Sequence, residues 1–194
     1  MSTILHSQES VEKDRPDVLA HVAGNMRALR TAAAWSQDML ATRAGVSRRM
    51  IAGIESGEAN VSLSTLDRLA MALGVSFSQM VRPPEMGDNS RINSLAWRGA
   101  GADSRATLLG TAPATREAEL WRWSLGPGER YPAEADAANW QEMLYVMQGV
   151  LHVERDGREN RVAAGDFLIF TSDQPYAFVN RSDEPVLFVR NVVF

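Results

Sequence analysis

The two halves of the chain differ in the spacing of their apolar residues. Before position 83 these residues recur every three to four positions, which predicts helices with one buried face. After position 90, aromatic and β-branched residues alternate with polar ones in short runs, which predicts strands. Between the halves lies PPEMGDNS, a typical linker sequence. We therefore predict a flexible tail over 1–16, an all-α domain over 17–82, a linker over 83–90 and an all-β domain over 91–194.

Capping residues divide the first half into five predicted helices. The first covers 17–34, and Ser36 and Ser47 are the predicted N-caps of the second and third. Gly45 and Gly57 are expected to end those two helices. Later helices are predicted over 63–73 and 76–81. The 3.6-residue period places a common buried face on the second and third helices, made of Met39, Leu40, Ala44, Met50, Ile51 and Ile54.

Two short helices joined by a tight glycine turn form a helix-turn-helix. Arg48 and Arg49 lie in the first turn of its second helix, on the face turned away from the core. Base-reading side chains occupy that position in recognition helices. The alternative is a structural helical bundle that merely exposes an arginine pair.

The same stretch resembles the phage-repressor-like (XRE type) helix-turn-helix family. The matching motifs are Ser36-Gln37, Leu40-Ala41, Ala44-Gly45-Val46-Ser47, Ile54-Glu55, Thr65-Leu66 and Ala72-Leu73-Gly74-Val75-Ser76. The resemblance implies that double-stranded operator DNA is the partner. Gln37 would then contact phosphate and Gly53 would let the helix approach the DNA, while Arg27 would contact phosphate or be solvated. The predicted DNA-binding residues are Gln37, Ser47, Arg48, Arg49, Ala52, Gly53, Asn60 and Arg27.

Charge and composition restrict the other classes of function. The net charge is −4, yet seven arginines and five acidic residues make 17–82 basic, as a DNA-binding domain requires. The chain has no cysteine, which excludes disulfides and thiolate metal sites. No apolar run approaches the ~20 residues of a membrane span, and the first residues do not read as a secretory signal. We therefore expect a cytoplasmic protein without membrane contact.

Glycine spacing in the second half resembles the two cupin motifs. Glu142 and Gly149, with six residues between them, are similar to the end of the first motif, and 157–180 is similar to the second. The resemblance implies a jelly-roll barrel. Metal-binding cupins hold their ion with three histidines and a glutamate. The corresponding positions here are Glu134, Asp136, Glu142 and Tyr176.

The absence of imidazole ligands predicts that the barrel holds no metal and no cofactor. Carboxylates and a phenol remain compatible with magnesium or calcium, but the alanine-rich loop around Glu134 and Asp136 is expected to lie away from the barrel mouth. The barrel interior is instead predicted to bind an effector, with Arg122 and Glu142 holding the charged ends of an amino acid. An alternative is that the aromatic residues only fill a core. The candidate pocket residues are Trp121, Arg122, Trp123, Glu142, Tyr145 and Tyr176.

Together these features predict a transcriptional regulator that binds operator DNA as a homodimer. Its β-rich domain would bind the effector, dimerise, or do both, with the strand 186–194 as an exposed edge that needs cover. Two alternatives remain: a cupin enzyme, such as an isomerase or dioxygenase, fused to a DNA-binding domain, and a cupin that serves only for dimerisation.

Overall fold

A computed structural model describes residues 18–59, 61–83, 89–115 and 117–194. The tail over 1–16, Asn60 and most of the predicted linker lie outside these described residues. The part of the chain that the structure describes has no helix long and apolar enough to cross a membrane. Five α-helices come first: α1 (Val18–Ala32), α2 (Gln37–Ala44), α3 (Arg48–Glu55), α4 (Leu63–Leu73) and α5 (Phe77–Val81).

Local capping sets the helix ends where the sequence predicted them. The side chains of Ser36 and Ser47 accept hydrogen bonds from the Met39 and Met50 amides. Gly45 ends α2 in the left-handed conformation, at φ 65°, which glycine adopts without a Cβ clash. The predicted termini of α2 and α3 are thus confirmed.

The predicted buried face was wrong at two methionines. Met39 and Met50 are 45 % and 36 % exposed, whereas Leu40, Ile51 and Ile54 are buried. Each helix has only eight residues, so its buried stripe is narrow, and in α3 it includes the charged Glu55. A hydrophobic side chain next to that stripe is left in solvent.

Two antiparallel sheets form the second half of the chain, as a cupin jelly roll requires. One sheet has six strands in the order β1-β2-β3-β10-β5-β8, and the other has four in the order β4-β9-β6-β7. The strands are β1 (Ser94–Arg98), β2 (Arg105–Pro113), β3 (Glu117–Leu125), β4 (Arg130–Ala133), β5 (Gln141–Gln148), β6 (Val150–Arg155), β7 (Arg158–Ala163), β8 (Phe167–Thr171), β9 (Tyr176–Val179) and β10 (Val186–Val193).

The last strand does not lie at a sheet edge, so that expectation was wrong. Strand β10 pairs with β3 on one side and β5 on the other, and its inward residues alternate with outward ones. The alternating pattern of 186–194 indicated a strand but carried no information about its neighbours. The free edges of this sheet are β1 and β8.

Helix α5 attaches the helical bundle to the six-stranded sheet. The Ser78 hydroxyl donates a 2.8 Å hydrogen bond to the Glu117 carboxylate, and both residues are buried. Beside this bond, the Phe77 and Trp121 rings lie 5.5 Å apart. Asn25 of α1 donates to the carbonyls of Met80 and Arg82 and so holds the far end of α5. The two halves therefore share a packed, hydrogen-bonded interface.

Candidate functional sites: a DNA-reading helix and an interdomain cavity

The first turn of α3 presents the arginine pair to solvent. Arg48 and Arg49 are exposed, and they follow directly on the Ser47 cap. Arg48 approaches Asp38 of α2 at 3.6 Å, but both side chains are mostly exposed. Such a surface pair contributes little to stability. The contact to Asp38 therefore holds Arg48 only weakly.

Glu55 is a buried carboxylate that joins the first three helices. It accepts hydrogen bonds of 2.6 and 3.0 Å from Arg30 and one of 2.9 Å from Gln37. Arg27, which is 62 % exposed, donates to the Glu55 backbone carbonyl. Burial raises the pKa of Glu55, but the bonds from Arg30 and Gln37 outweigh it and leave the pKa below its ordinary value. Gln37 and Arg27 are thus bonded within the bundle in the absence of DNA.

Packing within the protein leaves no room for a side chain at Gly53. A Cβ at this position would lie 2.9 Å from the Cβ of Ala59, in the loop after α3. The Gly53 carbonyl also accepts hydrogen bonds from the Glu58 and Ala59 amides. The close approach of this loop is a reason for the glycine that does not depend on DNA.

A cavity of about 50 Å³ lies between the helical bundle and the mouth of the jelly roll. Leu63, Ser64, Asp67 and Phe77 supply its wall on the helical side. The opposite wall belongs to the β-rich half and is made of Glu119, Trp121, Tyr131, Ala133, Glu134, Asp136, Trp140, Tyr176, Arg190 and Val192.

Of the six predicted pocket residues, only Trp121 and Tyr176 line this cavity. Placing Arg122 and Tyr145 there was wrong, because alternation along β3 and β5 turns both side chains to the outer face of the sheet. Tyr145 is 50 % exposed. Trp123 is fully buried in the core, with its ring 4.6 Å from that of Tyr131. Glu142 lies behind the cavity wall, fully buried.

The inward-facing cation is Arg190, which the sequence reading missed. Its guanidinium binds the Glu142 carboxylate through two nitrogens and donates a 3.0 Å hydrogen bond to the Tyr176 hydroxyl. That hydroxyl in turn donates to Glu142 at 2.9 Å. Burial lowers the pKa of Arg190, but the charge of Glu142 more than offsets this and keeps the pKa well above its ordinary value. Arg190 occupies an inward position of β10. The alternation of inward and outward residues along this strand was the sequence signal that could have identified it.

This network does not suit the metal site of a metal-binding cupin. Glu142 and Tyr176 stand at two of the ligand positions, and both are bonded to the Arg190 guanidinium. A metal cation here would have to displace a buried positive charge. The loop carrying Glu134 and Asp136 does reach the mouth, against expectation, because the Asp136 amide donates a 2.8 Å bond to the Ser172 carbonyl.

The cavity wall also carries acidic groups with raised pKa values. Burial raises the pKa of Glu119 to about 8, although a hydrogen bond from Trp121 and the charge of Arg190 act in the opposite direction. Burial likewise raises the pKa of Asp136 to about 6, against the lowering effects of Arg190 and Ser172. One Glu119 oxygen accepts the Trp121 indole N–H at 2.9 Å. The other, Oε1, is buried and has no hydrogen-bond partner among the described residues.

Comparison with known proteins matches each half separately. A helix-turn-helix family model (HTH_3) covers residues 26–80, and a cupin-domain model covers 121–192. A Neisseria meningitidis protein described as a hypothetical transcription factor is 38 % identical over 72 residues, or 37 % of this chain and 68 % of the relative. The Escherichia coli HTH-type transcriptional regulator SutR is 37 % identical over 60 residues, or 31 % of this chain and 34 % of that protein.

One solved structure matches nearly the whole fold. It is an HTH_3 family transcriptional regulator from Vibrio cholerae, with a TM-score of 0.70, 23 % identity, and coverage of 91 % of this chain and 97 % of that one. At this identity the likeness concerns the fold alone.

The helix-turn-helix, its exposed arginine pair and these relatives define a DNA-binding transcriptional regulator. The chain belongs to the HTH_3 (XRE-type) helix-turn-helix family and carries a C-terminal cupin domain.

The buried ion pair generates a stability prediction. We expect Glu142→Leu to lower the free energy of unfolding by about 3–5 kcal/mol, because it leaves the Arg190 charge buried and uncompensated. The double variant Glu142→Leu/Arg190→Met is expected to recover most of that loss, as a urea-unfolding double-mutant cycle would show. As a control, Arg130→Met in the exposed Arg130–Glu154 pair should cost less than about 1 kcal/mol. Additive losses in the double variant would contradict the pairing.

Proposed function

We propose that this regulator reads its operator through the first turn of α3, with Arg48 and Arg49 as the base-contacting residues. The supporting observation is that both side chains are exposed beside the Ser47 cap and that neither has a buried partner among the described residues. An arginine can pair bidentately with a guanine edge in the major groove. Ala52 lies on the exposed face one turn later, where it would allow close approach to a base. Gln37 and Arg27 would contact phosphate and set the register, if DNA draws them from Glu55.

The double variant Arg48→Ala/Arg49→Ala tests this assignment. We expect it to fold normally and to lose at least tenfold in affinity for the operator relative to unrelated DNA, since each bidentate pair contributes about 1–3 kcal/mol of discrimination. The measurement is a fluorescence-anisotropy titration with both DNA duplexes. A matched control is Arg158→Ala/Arg161→Ala, which removes two exposed arginines from β7. Equal specificity in the two double variants would assign recognition elsewhere.

A homodimer is proposed as the DNA-binding form. One recognition helix makes few base contacts, so two half-sites about one DNA turn, ~34 Å, apart are needed for useful affinity. The outer face of β5 and β8 offers a surface for the second copy. We define the β5–β8 patch as the exposed residues Met143, Tyr145, Met147, Phe167 and Ile169.

Several features of this patch favour a second copy of the chain as its partner. Met143 lies opposite Ile169, and Tyr145 lies opposite Phe167, so the apolar side chains are contiguous. Phe167 is 64 % exposed. Contiguous exposed apolar residues mark interaction sites. Strand β8 is also a free edge, which can pair with its own copy about a two-fold axis.

The dimer proposal is tested by Phe167→Glu/Ile169→Glu. We expect the wild-type chain to sediment as a dimer at micromolar concentration and the variant as a monomer, because two carboxylates would be buried at the interface. Operator affinity should fall at least tenfold with the loss of the second half-site. The control, Met71→Glu, adds a charge at an exposed methionine on α4. A wild-type chain that remains monomeric with and without DNA would rule out the dimer.

The cavity between the domains is proposed to sense a small-molecule effector, and the chain is proposed not to be an enzyme. Support for sensing comes from the aromatic and polar walls, which are typical of ligand sites. Against the alternative of an oxygenase or isomerase, Arg190 holds the carboxylate that a cupin metal would need. A regulator of chromosomal genes would act in the cytoplasm.

A further inference from the structure

The charges around the interdomain cavity indicate the class of its ligand. Four of its described lining residues are acidic, namely Asp67, Glu119, Glu134 and Asp136, and one is basic. That one, Arg190, is already bonded to the Glu142 carboxylate. The lining therefore has an excess of acidic groups, and an anionic ligand would meet no uncommitted positive charge among the described residues.

One residue of the cavity lining carries a buried polar atom without a hydrogen-bond partner among the described residues. Glu119 is 5 % exposed, and its Oε1 has no hydrogen-bond partner among the described residues. Leaving such a buried atom without a hydrogen bond is unfavourable, so a ligand that supplies an N–H donor is favoured. Its other oxygen is fixed by the Trp121 indole. The carboxyl is thus held in place with one oxygen available.

Aromatic rings complete a site suited to an organic cation. Phe77, Trp121, Tyr131, Trp140 and Tyr176 all contribute to the lining, and aromatic faces attract cations through their quadrupoles. The volume of about 50 Å³ is small next to the ~300–1,000 Å³ of typical ligand sites. A ligand of only a few heavy atoms is enough to fill this volume.

We propose that the interdomain cavity binds a small protonated amine, which Glu119 and Asp136 hold by charge-assisted hydrogen bonds beneath the aromatic walls. This inference rests on the proposed effector role and gives it a ligand class. Because Leu63, Ser64 and Asp67 of α4 and Phe77 of α5 line the cavity, the amine contacts the DNA-binding half as well as the cupin half. Binding is thereby linked to the position of the recognition helix through α4 and α5.

The proposal predicts a pH dependence of binding. Glu119 faces Trp121 and Glu117 on its own strand, Arg190 on β10 and Asp67 on α4. Because a bound ammonium favours the ionised carboxylate, binding below pH 8 expels a proton. The affinity should therefore rise with pH, by up to about tenfold per unit between pH 6.5 and 8. Asp136, with a pKa of about 6, adds to this slope only at the acidic end.

The experiment titrates the full-length chain with methylammonium, ethylammonium and ethanolammonium chlorides in phosphate buffer at constant ionic strength. Binding is measured by calorimetry and tryptophan fluorescence. Acetate and propionate are the anionic controls, and acetamide and ethanol are the neutral ones. We expect at least one amine to bind saturably, with an affinity that rises with pH. Glu119→Gln should remove this pH dependence and lower the affinity at least tenfold.

Matched variants separate a specific site from a general charge effect. Glu184→Gln removes an exposed carboxylate outside the cavity lining and should leave binding unchanged. Asp136→Asn provides a second cavity variant, which should weaken binding even if Glu119→Gln does not fold. If a carboxylate or a neutral probe binds and no amine does, the proposal of a cationic ligand is wrong, but the proposed effector role stands. If no amine, carboxylate or neutral probe binds, the amine proposal and the effector role both fail.

Discussion

The packing of α5 on the six-stranded sheet is the contact on which the arrangement of this regulator depends. The buried Ser78–Glu117 hydrogen bond and the Phe77–Trp121 ring contact hold the DNA-binding half over the mouth of the cupin half. Without them the cavity would be an open cleft on one domain. With them, its walls come from both domains, so a ligand in the cavity would contact α4 and α5.

A buried ion pair occupies the position at which other cupins bind metal. The Arg190 guanidinium supplies a fixed positive charge between Glu142 and Tyr176. A buried pair of this kind rarely adds net stability over apolar packing, but losing one partner is costly. Arg190 also closes off Glu142, which leaves Glu119 and Asp136 as cavity carboxyls that each have one buried oxygen without a hydrogen-bond partner among the described residues. The carboxylate of Glu142 and the phenol of Tyr176 are thus both committed to hydrogen bonds within the protein.

Local signals in the sequence were sufficient to place the ends of α2 and α3. Ser36 and Ser47 cap their helices through bonds to residues three positions away, and Gly45 ends α2 by its own backbone conformation. None of these features requires knowledge of distant residues. The family motif also marked Glu55, although its role as a buried acceptor for Arg30 and Gln37 depends on contacts between helices that spacing alone does not give.

The cavity was harder to predict because it depends on long-range pairing. Once Trp121 and Trp123 are placed inward, alternation turns Arg122 outward, and that much was readable from β3. The inward position of Arg190 follows from the same rule in β10, but its partner Glu142 lies 48 residues away. The contribution of Phe77 and Asp67 depends on how two separate folds pack together, and nothing in either half of the sequence specifies that contact.

The most direct test of this account is the operator affinity of the full-length chain with its cavity empty and with it saturated by an amine probe. Ionic strength and pH must be held constant, and Glu119→Gln serves as the reference. A ligand that contacts both domains is expected to change operator affinity by about 5- to 150-fold in the wild type, the range of typical coupling energies, and to leave Glu119→Gln unaffected. An amine that saturates the cavity while operator affinity stays constant would contradict the coupling between the two domains.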